Sequence, residues 1–301
     1  MAILAMVFWG MSYVWVKIAY LYLGPFSTVF LRLTLSATII IAIAAIFRIP
    51  ILPKREDLKA FMLLAFFEPF AYFIGESMGL ERVSSSVASI MIGTIPLFIP
   101  IFAYYILKEK VTILNIIGLV ISFIGLFILI FKEDFTFDAS PSGIALMMLA
   151  VTAGTLYTIQ LKKVSSIYHP VTIIIQMNFF GLLYFLPLFL YFEGRDFLQV
   201  NFNFELITTI AQLVIFSSLG ALFFFIYAIE RIGVTKTTMF TNLIPVVTAI
   251  TAWIILPEEQ FSLKLALGII IVIFGVFIGQ RKIKRVKNQG KPLLFTLSKK
   301  Y

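Results

Sequence analysis

Ten apolar runs, each near 20 residues long and separated by short polar punctuation, constrain this chain more than any other feature. They cover about 2–23, 27–47, 59–80, 86–107, 112–131, 142–163, 170–192, 206–229, 236–256 and 263–280. A helix of ~20 apolar residues crosses the hydrocarbon core of a bilayer. The runs lack the period-two alternation of an outer-membrane barrel, so helices are the structure that satisfies their backbone groups. Of 301 residues, 61% are hydrophobic and 13% charged. A soluble fold of that composition would have to coat itself in Phe, Ile and Leu. A soluble enzyme, a disordered chain and a nucleic-acid-binding domain are thereby excluded. The chain has no cysteine, which removes disulfides, thiolate metal sites and cysteine nucleophiles. Its start has neither a positive n-region nor a small-residue cleavage pattern, so a cleavable signal peptide is not expected.

The basic residues orient the spans. With the N-terminus placed in the cytoplasm, 18 of the 24 Lys and Arg fall on the inner side. Four fall outside (Arg82, Lys132, Arg195, Lys264), and Lys17 and Arg32 lie within spans. That segregation is a strong positive-inside signal and places both termini in the cytoplasm. The formal charge of +9 therefore maps one membrane face. The basic tail from Arg281 reads as a stop-transfer anchor against anionic headgroups.

The two halves resemble each other. Residues 80–109, LERVSSSVASIMIGTIPLFIPIFAYYILKE, align with residues 229–258, IERIGVTKTTMFTNLIPVVTAITAWIILPE. At an offset of 149, Glu81 meets Glu230, Arg82 meets Arg231 and Pro96 meets Pro245. At 150, Gly118 meets Gly268 and Gly125 meets Gly275, while Tyr13 meets Tyr157 at 144 and Pro25 meets Pro170 at 145. The expected architecture is an all-α integral membrane protein of ten transmembrane helices in two five-helix repeats, 1–131 and 142–280. An external connection, 132–141, joins them, and a cytoplasmic tail, 281–301, follows. Five is odd, so the second repeat enters the membrane from the opposite side. Inverted repeats are the architecture of secondary transporters, in which two halves rock about a site near the midplane.

The ordered features of each half resemble the EamA-type branch of the drug/metabolite transporter superfamily. They are Trp9-Gly10 with Lys17, then Arg32, then Gly-Leu-Glu-Arg-x-Ser-Ser-Ser at 79–86, then Ile-Pro-Leu at 95–97. Lys-Glu at 108–109 and the glycine-spaced span with Gly118 and Gly125 complete the series. The second copy departs at its start, where Ala153 stands for Trp9 and span seven has no basic counterpart of Arg32. The resemblance implies a ten-helix carrier exporting amino acids or other small metabolites. It implies residence in the cytoplasmic membrane of a bacterium or archaeon, and it leaves the substrate open.

Polar groups at membrane depth are costly and mark function or buried pairing. Glu68, Tyr72 and Glu76 recur every four residues, so one helical face is expected to carry all three. Trp9, Tyr13 and Lys17 recur likewise in span one, and Arg32 lies early in span two. Two readings stand for these groups. Two acids and two bases can form buried ion bridges holding spans one to three together. Alternatively, a carboxylate without a permanent partner can exchange a proton or hold a substrate cation, with Glu76 the sharper candidate. Lys17 receives a substrate carboxylate or pairs with Glu76. Pro96 and Pro245, preceded three residues earlier by Gly93 and Asn242, are expected to bend spans four and nine as gates or pocket walls. Trp9, Tyr13, Tyr72 and Tyr157 are candidate pocket linings. Asn242, Gln176, Asn178 and Gln160 are second-half polar candidates that can equally serve as helix–helix hydrogen bonds.

Gly75-Glu76-Ser77-Met78-Gly79 matches G-x-S-x-G, but a nucleophile elbow needs a strand-to-helix turn and a histidine base. The single histidine, His169, falls in a connection. No Walker A, H-E-x-x-H or metal-ligand cluster is present in the sequence, so no cofactor or metal is expected and uphill transport would draw on an ion or solute gradient. The expected function is secondary transport of a small-molecule substrate, with proton or solute coupling, by a monomer or homodimer. Efflux of cationic compounds is a second reading. A non-transporting membrane scaffold or sensor is a third.

Overall fold

The computed structural model describes residues 1–108, 111–130, 140–255 and 263–280. The connection 131–139, with its acids, and the basic tail from Arg281 lie outside the described residues, as do Glu109 and Glu258. Every described element is helical. The helices are α1 (Ala2–Ala19), α2 (Pro25–Ile46), α3 (Leu58–Ala65), α4 (Tyr72–Leu80), α5 (Ser85–Ile92), α6 (Ile95–Leu107) and α7 (Ile113–Ile130). The series continues with α8 (Pro141–Ser165), α9 (Pro170–Phe192), the short α10 (Gly194–Phe197), α11 (Phe204–Gln212), α12 (Leu222–Ile232), α13 (Val234–Met239), α14 (Leu243–Ile255) and α15 (Leu263–Gln280).

Eight stretches are long and apolar enough to cross a membrane: α1, α2, Arg55–Leu80, Val87–Leu107, α8, α9, Phe204–Ile232 and Val234–Ile255. The apolar helices α7 and α15, 18 residues each, stand where the fifth and tenth runs predict them. Large apolar side chains such as Ile41, Leu63, Phe179, Ile215 and Phe274 face outward. In water these would form the contiguous patches that soluble proteins avoid.

Four of the long stretches are interrupted. In Arg55–Leu80 the α3 and α4 segments are joined by a π segment, Phe66–Ala71. In Phe204–Ile232, α11 and α12 are joined by another, Leu213–Ala221. Val87–Leu107 breaks at Gly93-Thr94, and Val234–Ile255 passes through a 3-10 turn at Phe240–Asn242. Here a sequence expectation is corrected. Pro96 and Pro245 do not delete a hydrogen bond inside a continuous helix. They sit in the first turns of α6 and α14, where the N–H groups have no intrahelical acceptor in any case. The breaks precede them, at Gly93 and Asn242; Pro100 is the proline inside α6.

The packing recurs when the first and last five stretches are exchanged. α2 packs against α9, and α7 against α15. α1 packs against α14, α12 and Leu213–Ala221, while α8 packs against α6, α4 and Phe66–Ala71. The α7–α15 seam is made of small residues: a Cβ on Gly118 would stand 2.6 Å from the carbonyl oxygen of Gly275. Such stripes let backbones approach where no hydrophobic force draws helices together. Asn115 secures the seam, donating from Nδ2 to the Gly279 carbonyl at 2.6 Å.

Candidate functional site

A cavity lies where the interrupted helices converge. α1 contributes Trp9, Ser12 and Tyr13, and α2 contributes Arg32 and Leu33. The broken third stretch brings Glu68, Pro69, Tyr72, Phe73 and Glu76. From the second half come Tyr157 on α8, Met177 and Asn178 on α9, Ser217 and Ser218 in the second π segment, and Phe225 on α12. Trp9 meets Phe225 edge-on, with centroids 4.9 Å apart, and ties the two halves at one wall.

The third stretch breaks for a local reason. Pro69 has no N–H, and its ring drives the preceding residue out of the helical region. Glu68 accordingly has φ −144° and ψ 120°, and the Glu68–Pro69 peptide is cis. The expectation that Glu68, Tyr72 and Glu76 share one unbroken helical face is thus corrected. Tyr72 and Glu76 do share the face of α4, and the Tyr72 hydroxyl donates to Glu76 Oε1 at 2.8 Å. Glu68 reaches the same cavity from an extended residue in the break. It has no hydrogen bond to a described residue.

Arg32 is buried, with 5% of its surface exposed. The expected ion bridges to the acids of span three are not what holds it: among the described residues, no carboxylate lies within 4.0 Å of its guanidinium. Instead Nε donates to Ser218 Oγ at 3.2 Å and Nη2 to Ser217 Oγ at 3.3 Å. Its Cζ lies 4.8 Å from the Phe73 ring centroid, a cation–π distance. The wide turn of the π segment places two consecutive hydroxyls in reach of one planar fork. Sequence reasoning missed both serines, although the signal was there. The offset of 149 that pairs Glu81 with Glu230 also pairs Glu68-Pro69 with Ser217-Ser218.

Lys17 stands apart from the cavity lining. Its ammonium donates to the carbonyls of Leu80 and, at 2.9 Å, Val83. A cation there offsets the partial negative charge at the end of α4. Lys162, on α8, does the same at the end of α12, donating to the carbonyls of Ile229 at 3.0 Å and Glu230 at 3.5 Å. Gly93, Pro96, Pro245 and Asn242 also lie off the lining, although Thr241 and Ile244 beside Asn242 are on it. Among the described polar atoms, two buried side-chain amide atoms have no partner: Asn178 Nδ2 and Asn242 Oδ1. Gln176 is spent on the Ile51 carbonyl, at 2.9 Å. His169 caps α9, its Nδ1 accepting from the Val171 amide at 3.3 Å. The G-x-S-x-G stretch is simply part of α4.

In sum, the cavity gathers Trp9, Tyr13, Arg32, Glu68, Tyr72, Glu76 and Tyr157, two acids and one base within helical walls. Among the described residues, the guanidinium makes no direct ion pair with either acid.

Comparison with known proteins agrees with a membrane carrier. A model of the EamA-like transporter family matches residues 1–131 and 141–279. An uncharacterized transporter of Archaeoglobus fulgidus is 29% identical over 282 residues, covering 93% of this chain and 97% of that one. YcxC of Bacillus subtilis, also an uncharacterized transporter, is 28% identical over 301 residues, covering 94% and 93%. A solved crystal structure with 14% sequence identity superposes with a TM-score of 0.76 over 93% of this chain and 94% of its own, a likeness of fold alone. With both halves matched, the chain belongs to the EamA-like transporter family.

Proposed function

We propose that this protein is a secondary transporter that exports amino acids or related small metabolites across the cytoplasmic membrane by alternating access. One observation carries the reading: a cavity between two interrupted helices holds Arg32, Glu68 and Glu76 with no direct ion pair among them. Ionisable groups at membrane depth mark substrate and ion pathways, and carriers build their sites from discontinuous helices. The reading takes α7 and α15 as spans, giving ten, with the two matched halves inverted and both termini in the cytoplasm. The exchange-symmetric packing supports it. So do two hydroxyl–carboxylate hydrogen bonds that join half to half at matched places, Tyr22 to Glu205 and Tyr168 to Asp57. In this topology the first lies at the outer face and the second at the inner.

Glu76 couples the substrate to protons or grips its cationic group. Counterflow in proteoliposomes with a panel of amino acids, run at several pH values, tests the role with Glu76→Gln. The expected outcome is a loss of flux of at least about tenfold, the effect of one charge-assisted contact, together with a flattened pH profile. Unchanged flux and an unchanged profile remove Glu76 from the mechanism. Efflux of cationic compounds is favoured as a second reading by the charge of the lining, two carboxylates to one guanidinium. Thermal stabilisation by none of the panel, with no counterflow, would favour a scaffold.

A further inference from the structure

Lys17 and Lys162 are matched residues, and the bonds they make are matched too. The offset of 145 that pairs Pro25 with Pro170 also pairs Lys17 with Lys162. Their acceptors, the Leu80 and Ile229 carbonyls, correspond at the offset of 149. Both lysines are half-buried. Neither takes a carboxylate, although Glu81 and Glu230 stand beside the acceptors. Those acids pair with their own neighbours, Arg82 at 3.2 Å and Arg231 at 4.0 Å. The bond recurs although nearby positions have diverged: Trp9 corresponds to Ala153, Glu68 to Ser217 and Glu76 to Phe225.

Each bond lies just past the cavity. The last lining residue is Tyr13 on α1, Glu76 on α4, Thr158 on α8 and Phe225 on α12. Lys17, Leu80, Lys162 and Ile229 each follow by four residues, one helical turn of ~5.4 Å. The two bonds cap opposite ends of the chamber. The end of α4 lies beside the start of α8, where a Cβ on Gly79 would stand 3.5 Å from the Gly143 carbonyl oxygen. Lys162 is about 28 Å further along α8, at ~1.5 Å per residue. The bonds also cross between two packed groups. α1 packs with α14, α12 and Leu213–Ala221, and α8 packs with α4, α6 and Phe66–Ala71. Lys17 reaches from the first group to the end of α4 in the second. Lys162 reaches from the second group to the end of α12 in the first, where α12 also borders α8. The cavity lies between the groups.

We propose that Lys17 and Lys162 are a reciprocal pair of gate residues, each latching one end of the chamber through main-chain acceptors. The inference rests on the alternating-access reading. In that topology the Lys17 bond lies at the outer end and the Lys162 bond at the inner. Opening one end separates the two packed groups there and breaks that lysine bond, while the other holds. An ammonium carries three donors on a flexible stem. It can take two carbonyls at once, and an opening end admits the water that solvates it on release. A main-chain acceptor makes the latch depend on where a helix end stands and not on which side chain it carries. The same device therefore serves two walls whose side chains differ.

Thiol labelling of the full chain tests the pair, since the chain has no cysteine of its own. Ser12→Cys on α1 and, in a separate chain, Thr158→Cys on α8 each place one reporter in the lining. Each is labelled with a membrane-impermeant maleimide in right-side-out and in inverted vesicles. Lys17→Met should raise the outside-to-inside labelling ratio at least about threefold, and Lys162→Met should lower it by as much. The double variant should return close to the reference ratio, because the two losses bias the equilibrium in opposite directions. Lys17→Gln and Lys162→Gln should give the same signs should a methionine variant fail to fold. A lysine that only stabilises a helix end would lower the unfolding temperature and leave the ratio unmoved. The inference is overturned if both variants shift the ratio the same way, if neither shifts it, or if neither substitution of either lysine folds. A reference chain labelled from neither side removes the alternating-access reading itself. A reference labelled from both sides, with a ratio that ignores the lysines, removes only the latches.

Discussion

The third and eighth stretches occupy equivalent places and differ in what they carry. Both are long helices interrupted by a π segment, at Phe66–Ala71 and Leu213–Ala221. Both offer the interruption to the same cavity. At the offset of 149, Glu68 faces Ser217, Pro69 faces Ser218 and Glu76 faces Phe225. One break contains a proline and an extended residue; the other contains no proline at all. The interruption is therefore a property of the architecture, and proline is one means to it. The chemistry differs independently. Both carboxyl groups and the guanidinium of the lining come from the first half, and the matched positions of the second half hold hydroxyls and apolar groups. The chamber has two similar walls, and one of them carries the charged side-chain types.

Arg32 is the charged link between those walls, and removing it should have the largest effect. Arg32→Met leaves Glu68 and Glu76 with no cation in the chamber and two serine hydroxyls without their partner. A hydrogen bond to a charged group is worth about 1.5–3 kcal/mol, and Arg32 makes two of them besides its contact with Phe73. Denaturant unfolding in detergent should show a loss of that order, and counterflow should vanish. If stability and flux both survive, the carboxylates of the first wall do not depend on this cation, and the comparison between walls loses its electrostatic content.

The next effect is smaller and comes from the neutral wall. Ser217→Ala and Ser218→Ala each remove one hydroxyl acceptor from a guanidinium. A hydrogen bond to a charged group is worth about 1.5–3 kcal/mol, and Arg32 retains its contact with Phe73. Each variant should lose about 1–2 kcal/mol of stability and lower the apparent affinity for substrate, with the double variant short of additive because both serines hold one fork. A neutral result for both would mean that the π segment of the eighth stretch serves packing alone.

Much of this molecule was legible before its structure. Run length and hydropathy placed the helices within a few residues, because a bilayer tolerates little else. The offsets near 149 anticipated which segments pack alike. Arg32, Glu68, Glu76, Tyr13, Tyr72 and Tyr157 were picked out because polar groups in apolar runs are rare, and the structure brings all six to one cavity. The same rule misled for Lys17. A lysine near the end of a helix can reach main-chain carbonyls, and carbonyls leave no mark in a sequence. The interruptions were illegible for a related reason. Hydropathy does not change when a helix widens from i→i+4 to i→i+5, so nothing in the apolar pattern singled out Ser217 and Ser218. Asn178 was one of several amides with equal standing. Only the count of its missing partners distinguishes it from Gln176, which is fully used.

The smallest expected stability effect belongs to the two matched bonds at the ends of the bundle, and it sharpens the comparison most. Tyr22 of the first half donates to Glu205 of the second, and Tyr168 of the second donates to Asp57 of the first. Contacts of this kind at the ends of the bundle, one exposed and one part-buried, are worth about 1 kcal/mol, so Tyr22→Phe and Tyr168→Phe should barely shift the unfolding midpoint. In a rocking molecule, however, even ~1 kcal/mol changes the ratio of two states about fivefold. If the halves open alternately, losing the Tyr22 bond favours opening at one face and losing the Tyr168 bond favours the other. The chain has no cysteine, so a single Ser12→Cys in the lining reports which face is open. Labelling by a membrane-impermeant thiol reagent should rise from the outside in Tyr22→Phe and from the inside in Tyr168→Phe, each by about threefold to fivefold. A rise at the same face in both variants would contradict an inverted pair of gates. It would mean that the two bonds, alike in sequence position and chemistry, are not alike in function, just as the two broken helices are not.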